Sequence, residues 1–486
     1  MKRVEFYMQK FAYQTSQIVV ALPGRESEEI IFEDFPAERL VLPEDENTGA
    51  YAAIAATIVH KYSPHWVFYT LGPGGNNATN AIDACVGDKI PVIFVFAQTE
   101  EERIHFGATH QCADHVSIAK ALGVKYACQV FAADVPLLPS ILRNAVSHAL
   151  TEPLGPAVLS IPIDVLAVEY DFPEVDEQPL QLATPDDPMD VQPAVAAFLQ
   201  AENPIFLVGN QLLRDGLVNQ FRALVKLTGA GVVQAYDCVG VLPSDHPNLL
   251  YTATSYAGGI SGVDVNDLVF EPTDCIISFG FDWKDDLSNK HLRHGRRKIN
   301  WAFSASIPDA ERGLFDGYIN GDLPTSFSTF FNTVSSRLTE KFNPHDVSAY
   351  WQALKSLSSQ ASENVGVNIV GLCRAINAQQ DGSIILASDV GLFRHYLIML
   401  TETRGLDENL PVQLILSPYA SSFGTGIGYG IGAALSCENP VIAVCGDGGF
   451  NHAVGALRTI AAKREQLTNL VLIVFDNSEN FLIGGV

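Results

Sequence analysis

Short apolar runs separated by helix-forming stretches recur along most of the chain. Between the N-terminus and about residue 172 the runs are Gln17 to Leu22, Arg39 to Leu42, Trp66 to Thr70, Pro91 to Ala97, Lys125 to Val130 and Ala157 to Ile161. Each is four to seven residues long, the length of a buried strand and too short for a helix. Helical stretches fall between them at Thr48–Lys61, Asn77–Cys85, Ala113–Leu122 and Val135–Leu150. Strand and helix in alternation predict a doubly wound parallel sheet. A proline- and acid-rich linker, Asp171 to Gln192, then leads to a middle domain at 190–345. There the pattern predicts strands at Pro204–Val208, Val232–Ala235, Cys275–Phe279 and Lys298–Trp301. A third domain, 359–486, carries helix Val365–Asn377 and strands Ser383–Ala387, Val441–Cys445 and Leu470–Phe475. The fold class expected is α/β, with three doubly wound parallel-sheet domains.

Composition narrows the partners. The chain has 486 residues and a net charge of -25, which argues against nucleic acid or an anionic membrane surface. Its eight cysteines show no CxxC pair or zinc spacing, as expected in a reducing cytoplasm. The N-terminus lacks the apolar core of a signal peptide, and no run approaches transmembrane length.

Candidate chemistry concentrates in Pro440–Glu479. Strand Val441–Cys445 ends in Gly446-Asp447-Gly448-Gly449, a helix follows over Ala453–Lys463, and strand Leu470–Phe475 ends in Asp476-Asn477. This is a βαβ unit, and open parallel sheets take ligands beyond the carboxyl ends of their strands. Asp447 and Asn477 offer hard oxygen donors of the kind Mg²⁺ prefers. The glycines let backbone N–H groups approach a phosphate. The residues therefore read as a metal–diphosphate site, with a bare turn and loop as the alternative.

The unit resembles the diphosphate-binding motif of thiamine diphosphate (ThDP) enzymes in the acetolactate synthase and pyruvate decarboxylase superfamily. That resemblance implies that Asp447, Asn477 and the backbone oxygen of Glu479 hold Mg²⁺, with Gly446, Gly448 and Gly449 around the diphosphate. It also demands a glutamate near the N-terminus, and Glu46-Asn47-Thr48-Gly49-Ala50-Tyr51-Ala52-Ala53 matches that motif. In the family this carboxyl shares a proton with N1′ of the aminopyrimidine and so helps to activate C2 of the thiazolium. Gly72-Pro73-Gly74 matches the family's GPG turn, and Gln98 matches a glutamine that faces substrate in acetolactate synthase-like members. Lys120 matches a family lysine, or is a solvated helix residue. Asp389-Val390-Gly391 matches the DVG segment near the diphosphate, but His395 comes later than the family's histidine. Phe423 takes the place of the apolar wedge under the cofactor, usually Met, Leu or Ile, and the Gly424 carbonyl would accept from the 4′-amine.

The expected protein is a ThDP- and Mg²⁺-dependent enzyme that decarboxylates a 2-keto acid such as pyruvate and joins the product to a second carbonyl. Alternatives are a simple 2-keto acid decarboxylase, a catalytically impaired ThDP-binding paralogue or subunit, and a nucleotide-binding oxidoreductase. The last lacks a ribose-binding acid after its glycine loop. FAD in the middle domain is left open, with no phosphate loop to support it. The family's sites lie between subunits, so a homodimer or homotetramer is implied. Relatives continue past the position of Val486, which implies that part of the last domain's wall is missing.

Overall fold

A computed structural model describes residues 2–22, 24, 36–104, 111–175, 190–254, 260–282, 298–305, 312–360, 369–379, 383–407, 410 and 412–476. Asn477 and Glu479, two of the three expected metal ligands, lie outside the described residues. The chain divides into two compact units, one of 1–183, 385–390 and 415–486 and the other of 184–384 and 391–414.

The first unit holds a six-stranded sheet in the order Leu40–Val41, Val19–Leu22, His65–Tyr69, Val92–Gln98, Ala157–Pro162 and Tyr126–Gln129. Every pairing is parallel. All seven residues of Val92–Gln98 are buried, which is why this strand reads as one continuous apolar run. Val4–Thr15 is a helix that the pattern of apolar runs does not reveal. Lys2, Arg3, Gln9 and Lys10 break up its text, yet Val4, Tyr7, Met8, Phe11 and Ala12 lie on one buried face. Phe11 meets Trp66 edge-on, with ring centroids 5.7 Å apart.

A four-stranded sheet follows the order Leu414–Ile415, Ile385–Ser388, Val441–Gly446 and Leu470–Phe475. The last three strands pair in parallel. The glycine-rich stretch after Phe423 is a true helix, Thr425–Ser436, despite glycine's poor helix propensity. Packing explains the composition. A Cβ on Gly428 would lie 2.7 Å from the Tyr51 Cβ, and one on Gly432 would strike the Ala52 backbone. The two helices Glu46–Val59 and Thr425–Ser436 thus approach backbone to backbone.

The second unit is built on a parallel sheet ordered Leu249–Ala253, Gly231–Ala235, Pro204–Val208, Cys275–Phe279, Ile299–Ser304 and Gly317–Asn320. Four of these strands match the pattern-based expectation. The two edge strands, Leu249–Ala253 and Gly317–Asn320, were not expected. Phe206, Phe221, Phe279 and Phe330 pack edge to face across this core. The α/β class with several parallel sheets is as expected.

Candidate functional site

Glu46 opens the helix Glu46–Val59 in the first unit. The preceding residue, Asp45, caps it by accepting the Thr48 N–H at 2.8 Å. That is the usual economy of a helix N-terminus, where an aspartate satisfies an otherwise orphaned donor. The cap leaves the Glu46 side chain free to point elsewhere. It is half-buried, and its Oε2 accepts from Asn77 Nδ2 at 3.0 Å. The Tyr69 hydroxyl donates to the Glu46 backbone carbonyl. A Cβ on Gly74 would lie 3.2 Å from Glu46 Oε1, so the Gly-Pro-Gly turn forms one wall beside the carboxylate. Gly72, the first residue of that turn, has φ +52°, and a side chain there would run into the Gln111 backbone. The Gly72 carbonyl accepts from His115 Nε2 at 3.1 Å, and burial lowers the pKa of His115.

Gln98 ends the central strand and is buried. Both ends of its amide are committed within the fold: Nε2 donates to the Ala113 carbonyl at 2.6 Å, and Oε1 accepts the Thr99 N–H at 3.0 Å. Lys120 is exposed on the helix His115–Ala121.

The diphosphate-side motifs converge on Asp389. This aspartate has no exposed surface and sits at the carboxyl end of strand Ile385–Ser388. Its Oδ2 accepts the Gly424 N–H at 2.8 Å, and its Oδ1 accepts from Val390 N at 2.8 Å and Thr425 Oγ1 at 3.1 Å. Its own N–H donates to the Val444 carbonyl at 2.9 Å. A Cβ on Gly449 would strike the Asp389 carboxylate. One side chain therefore spaces the Asp-Val segment, the Phe-Gly-Thr turn and the Gly-Asp-Gly-Gly segment. Desolvation raises its pKa, opposed by the hydrogen bonds from Gly424, Val390 and Thr425. The motif match named only the backbone here, although Ser-Asp at a strand end was the available signal for a buried carboxylate.

Gly446 ends strand Val441–Gly446, and Asp447 is the first residue of a short helix, Asp447–His452. Helix thus begins several residues earlier than its apolar spacing suggests. The Asp447 carboxylate is half-buried and has no partner among the described residues. Gly446 pairs with Phe475 on the neighbouring strand, so Asp447 and Asp476 leave adjacent strand ends, one residue short of Asn477. Among the described residues no group of three His, Cys, Asp or Glu gathers to hold a metal. An unpaired carboxylate at a strand end beside glycine backbone suits a hard cation carrying a phosphate.

Gly424 caps helix Thr425–Ser436 with φ +83°, and a Cβ there would lie 2.8 Å from that of Ala453. Phe423, beside it, is 49% exposed, with its ring 5.6 Å from that of His452. Gly391 and His395 belong to the second unit. His395 is held by Thr254, whose Oγ1 lies 2.5 Å from its Nδ1, and burial takes its pKa down to about 4.

The two sets of motifs face each other within the first unit. Besides the close helix packing at Gly428 and Gly432, Glu44 N donates to Thr459 Oγ1 at 3.1 Å. The Asn80 amide and the Ser422 hydroxyl pair at 2.7 and 2.9 Å.

Comparison with known proteins agrees. The N-terminal TPP binding domain of thiamine pyrophosphate enzymes matches residues 13–118, their central domain matches 191–301, and their C-terminal TPP binding domain matches 400–485. The chain belongs to the thiamine pyrophosphate enzymes. Glyoxylate carboligase of Escherichia coli O157:H7 is 26% identical over 205 residues, 41% of this chain and 34% of that protein. The acetolactate synthase large subunit of Lactococcus lactis subsp. lactis is 25% identical over 396 residues, 79% of this chain and 65% of that protein. Oxalyl-CoA decarboxylase of Escherichia coli strain K12 is 20% identical over 459 residues, 91% of this chain and 76% of that protein. The chain thus spans about a third and just under two thirds of the first two relatives.

Proposed function

We propose that this ThDP enzyme decarboxylates a 2-keto acid of the pyruvate class and joins the resulting fragment to a second carbonyl, as an acetolactate synthase-like carboligase. The observation that carries the reading is the packing of the Glu46 helix against the helix capped by Gly424, with Asp447 at the adjoining strand end. These are the residues that resemblance assigns to opposite ends of one cofactor.

The donor set fits the cofactor. Asp447, with Asn477 and the Glu479 backbone oxygen, would hold Mg²⁺, and the backbone of Gly446, Gly448 and Gly449 would face the diphosphate. When bound, ThDP supplies the electron sink that decarboxylation of a 2-keto acid requires. Glu46 would hold a proton at N1′ of the aminopyrimidine, with Gly72 in the turn beside it. The Gly424 carbonyl would accept from the 4′-amine. Phe423 would support the bent cofactor, and its exposure leaves an apolar surface for a ligand to cover. Gln98 would contact substrate only after releasing the Ala113 carbonyl. Gly391 would lie near the diphosphate by its place in the DVG segment.

Domain limits of 1–172, 190–345 and 359–486 accompany this reading, as do a cytoplasmic location and a homodimer or homotetramer. All eight cysteines are free, which suits a reducing compartment, and no helix among the described residues is long and apolar enough to cross a membrane. FAD in the middle domain is left open, with no phosphate loop there to support it. A second reading, cofactor binding without turnover, is favoured by the internal commitment of Gln98 and His395. Incubation with pyruvate, ThDP and Mg²⁺ separates these readings. Carboligation yields CO₂ and an acetoin- or acetolactate-type product, simple decarboxylation yields free aldehyde, and an impaired paralogue yields neither.

A further inference from the structure

Three consecutive acids, Glu44, Asp45 and Glu46, lead into the helix Glu46–Val59, and the structure gives each a separate task within the first unit. The Glu44 carboxylate pairs with Arg458 at 3.4 Å, and its N–H donates to Thr459 Oγ1. Asp45 spends both oxygens on Thr48: Oδ1 accepts the N–H at 2.8 Å and Oδ2 accepts the hydroxyl at 2.6 Å. Glu46 turns away from both, toward the segment that follows strand His65–Tyr69.

Its partner there is Asn77, the last residue of the short helix Pro73–Asn77. Asn77 Nδ2 donates to Glu46 Oε2 at 3.0 Å, an ordinary hydrogen-bond length. The other oxygen, Oε1, lies beside Gly74, where a Cβ would come within 3.2 Å. One oxygen is therefore held, and the absence of a side chain keeps the space beside the second clear. A glutamate has three rotatable side-chain bonds, so a single anchor at its tip removes most of the positions the carboxylate would otherwise sample.

The anchor is itself braced. The Tyr69 hydroxyl donates to the Glu46 backbone carbonyl, which fixes the base of the side chain. Asn76 N–H donates to the Gly72 carbonyl at 3.1 Å, which closes the turn that carries Asn77. Three residues on, the Asn80 amide exchanges hydrogen bonds with Ser422, the residue before Phe423. The donor to Glu46 is also neutral. A cation at that distance would hold the carboxylate ionised and oppose the sharing of a proton with a ligand nitrogen. An amide orients the group and leaves the proton free to move.

We propose that Asn77 is a positioning residue for the activating glutamate: it holds Glu46 in one rotamer, with Oε2 committed to the amide and Oε1 left for the aminopyrimidine proton. The inference rests on the ThDP reading of Glu46, and Asn77 acts through that side chain.

The test uses Asn77→Ala and Asn77→Asp in the full chain with Mg²⁺, each alone and combined with Glu46→Gln. Asn77 is exposed, so both variants should unfold near the wild-type temperature and bind ThDP within about threefold of it by calorimetry. C2–H exchange of bound ThDP, read by proton NMR, should slow about tenfold in Asn77→Ala. It should slow at least as much in Asn77→Asp, which keeps the shape of the side chain but replaces the donor with a like charge. Neither change should slow exchange further in the Glu46→Gln background, because residues that act through one another are not additive. A calorimetric readout is independent of exchange: wild type should prefer ThDP over an analogue with C–H in place of N1′, and Asn77→Ala should narrow that preference several-fold. Wild-type exchange in Asn77→Asp, full additivity with Glu46→Gln, or an unchanged preference against the analogue each overturns the assignment. If Glu46→Gln slows exchange and Asn77→Ala does not, the positioning role alone falls. If Glu46→Gln leaves exchange unchanged, or ThDP does not bind, the underlying reading falls with it.

Discussion

Gly426→Ala is the sharpest probe of how the candidate site is built. Gly426 lies inside the helix Thr425–Ser436, where alanine in place of glycine normally adds about 1 kcal/mol of helix stability. Its surroundings reverse the sign. A Cβ there would lie 2.5 Å from the Asp389 backbone nitrogen, 2.9 Å from the Val444 carbonyl oxygen and 3.0 Å from the Asp389 Cβ. The first two atoms form the 2.9 Å hydrogen bond between the strand ends, so the methyl group would press on a buried bond that it cannot join. Overpacking costs about 1–3 kcal/mol, and a buried donor and acceptor forced apart cost about as much again. Set against the propensity gain, the net loss is about 1–5 kcal/mol. Asp389 would move with its backbone and loosen its hold on Gly424 and Thr425. Gly455→Ala is the control, because its nearest neighbours are 3.8 Å away. Thermal unfolding should show Gly426→Ala well below wild type and Gly455→Ala near it, and ThDP affinity should fall about tenfold or more only in the former. Equal stability of the two variants would refute the tight junction at Asp389.

Glu46→Gln should slow C2–H exchange of bound ThDP by a factor of about 10² to 10⁴, read by proton NMR, while leaving cofactor affinity within a few-fold; unchanged exchange removes Glu46 from its role. His65 is fully buried, and desolvation together with repulsion from His60 holds its pKa down at about 3, against the ordinary histidine value of 6.5. The unfolded chain therefore takes up a proton that the native chain refuses. Stability from this site is intact above pH 6.5 and falls toward pH 3, by at most about 1.4 kcal/mol per pH unit. His65→Gln should flatten urea-midpoint against pH in that window, and an unaltered slope would mean that His65 does not titrate as described. In this structure Glu46 and Asp447 belong to motifs that meet in one chain, whereas the resemblance places that meeting between subunits; exchanging identical elements between copies preserves the same contacts. For the exchanged arrangement, co-folding Glu46→Gln chains with Asp447→Asn chains should restore about a quarter of wild-type activity, and no recovery would place the whole site within one chain.

The central strands were legible because parallel sheets covered on both faces demand unbroken apolar runs, as in Val92–Gln98, whereas the edge strands Leu249–Ala253 and Gly317–Asn320 were not. The helix Val4–Thr15 was less so, since charged and polar residues alternate with its buried face. The glycines of Thr425–Ser436 read as a loop; only the neighbouring helix explains them, and that is a tertiary fact. At the candidate site, Glu46, Asp447 and Gly424 could be nominated from motifs because the expected chemistry restricts residue type at those positions. Asp389 could not, since its role rests on three segments brought together by the fold. The commitment of Gln98 to the Ala113 carbonyl was equally hidden, because a strand-end amide looks the same in sequence whether it faces inward or toward a substrate.

The most direct test of the central claim is calorimetric titration of ThDP into the wild-type chain and into Asp447→Asn, each with and without Mg²⁺. The account predicts tight binding that requires Mg²⁺ and weakens by about a hundredfold in the variant. Binding that ignores Mg²⁺, or that survives Asp447→Asn unchanged, contradicts it.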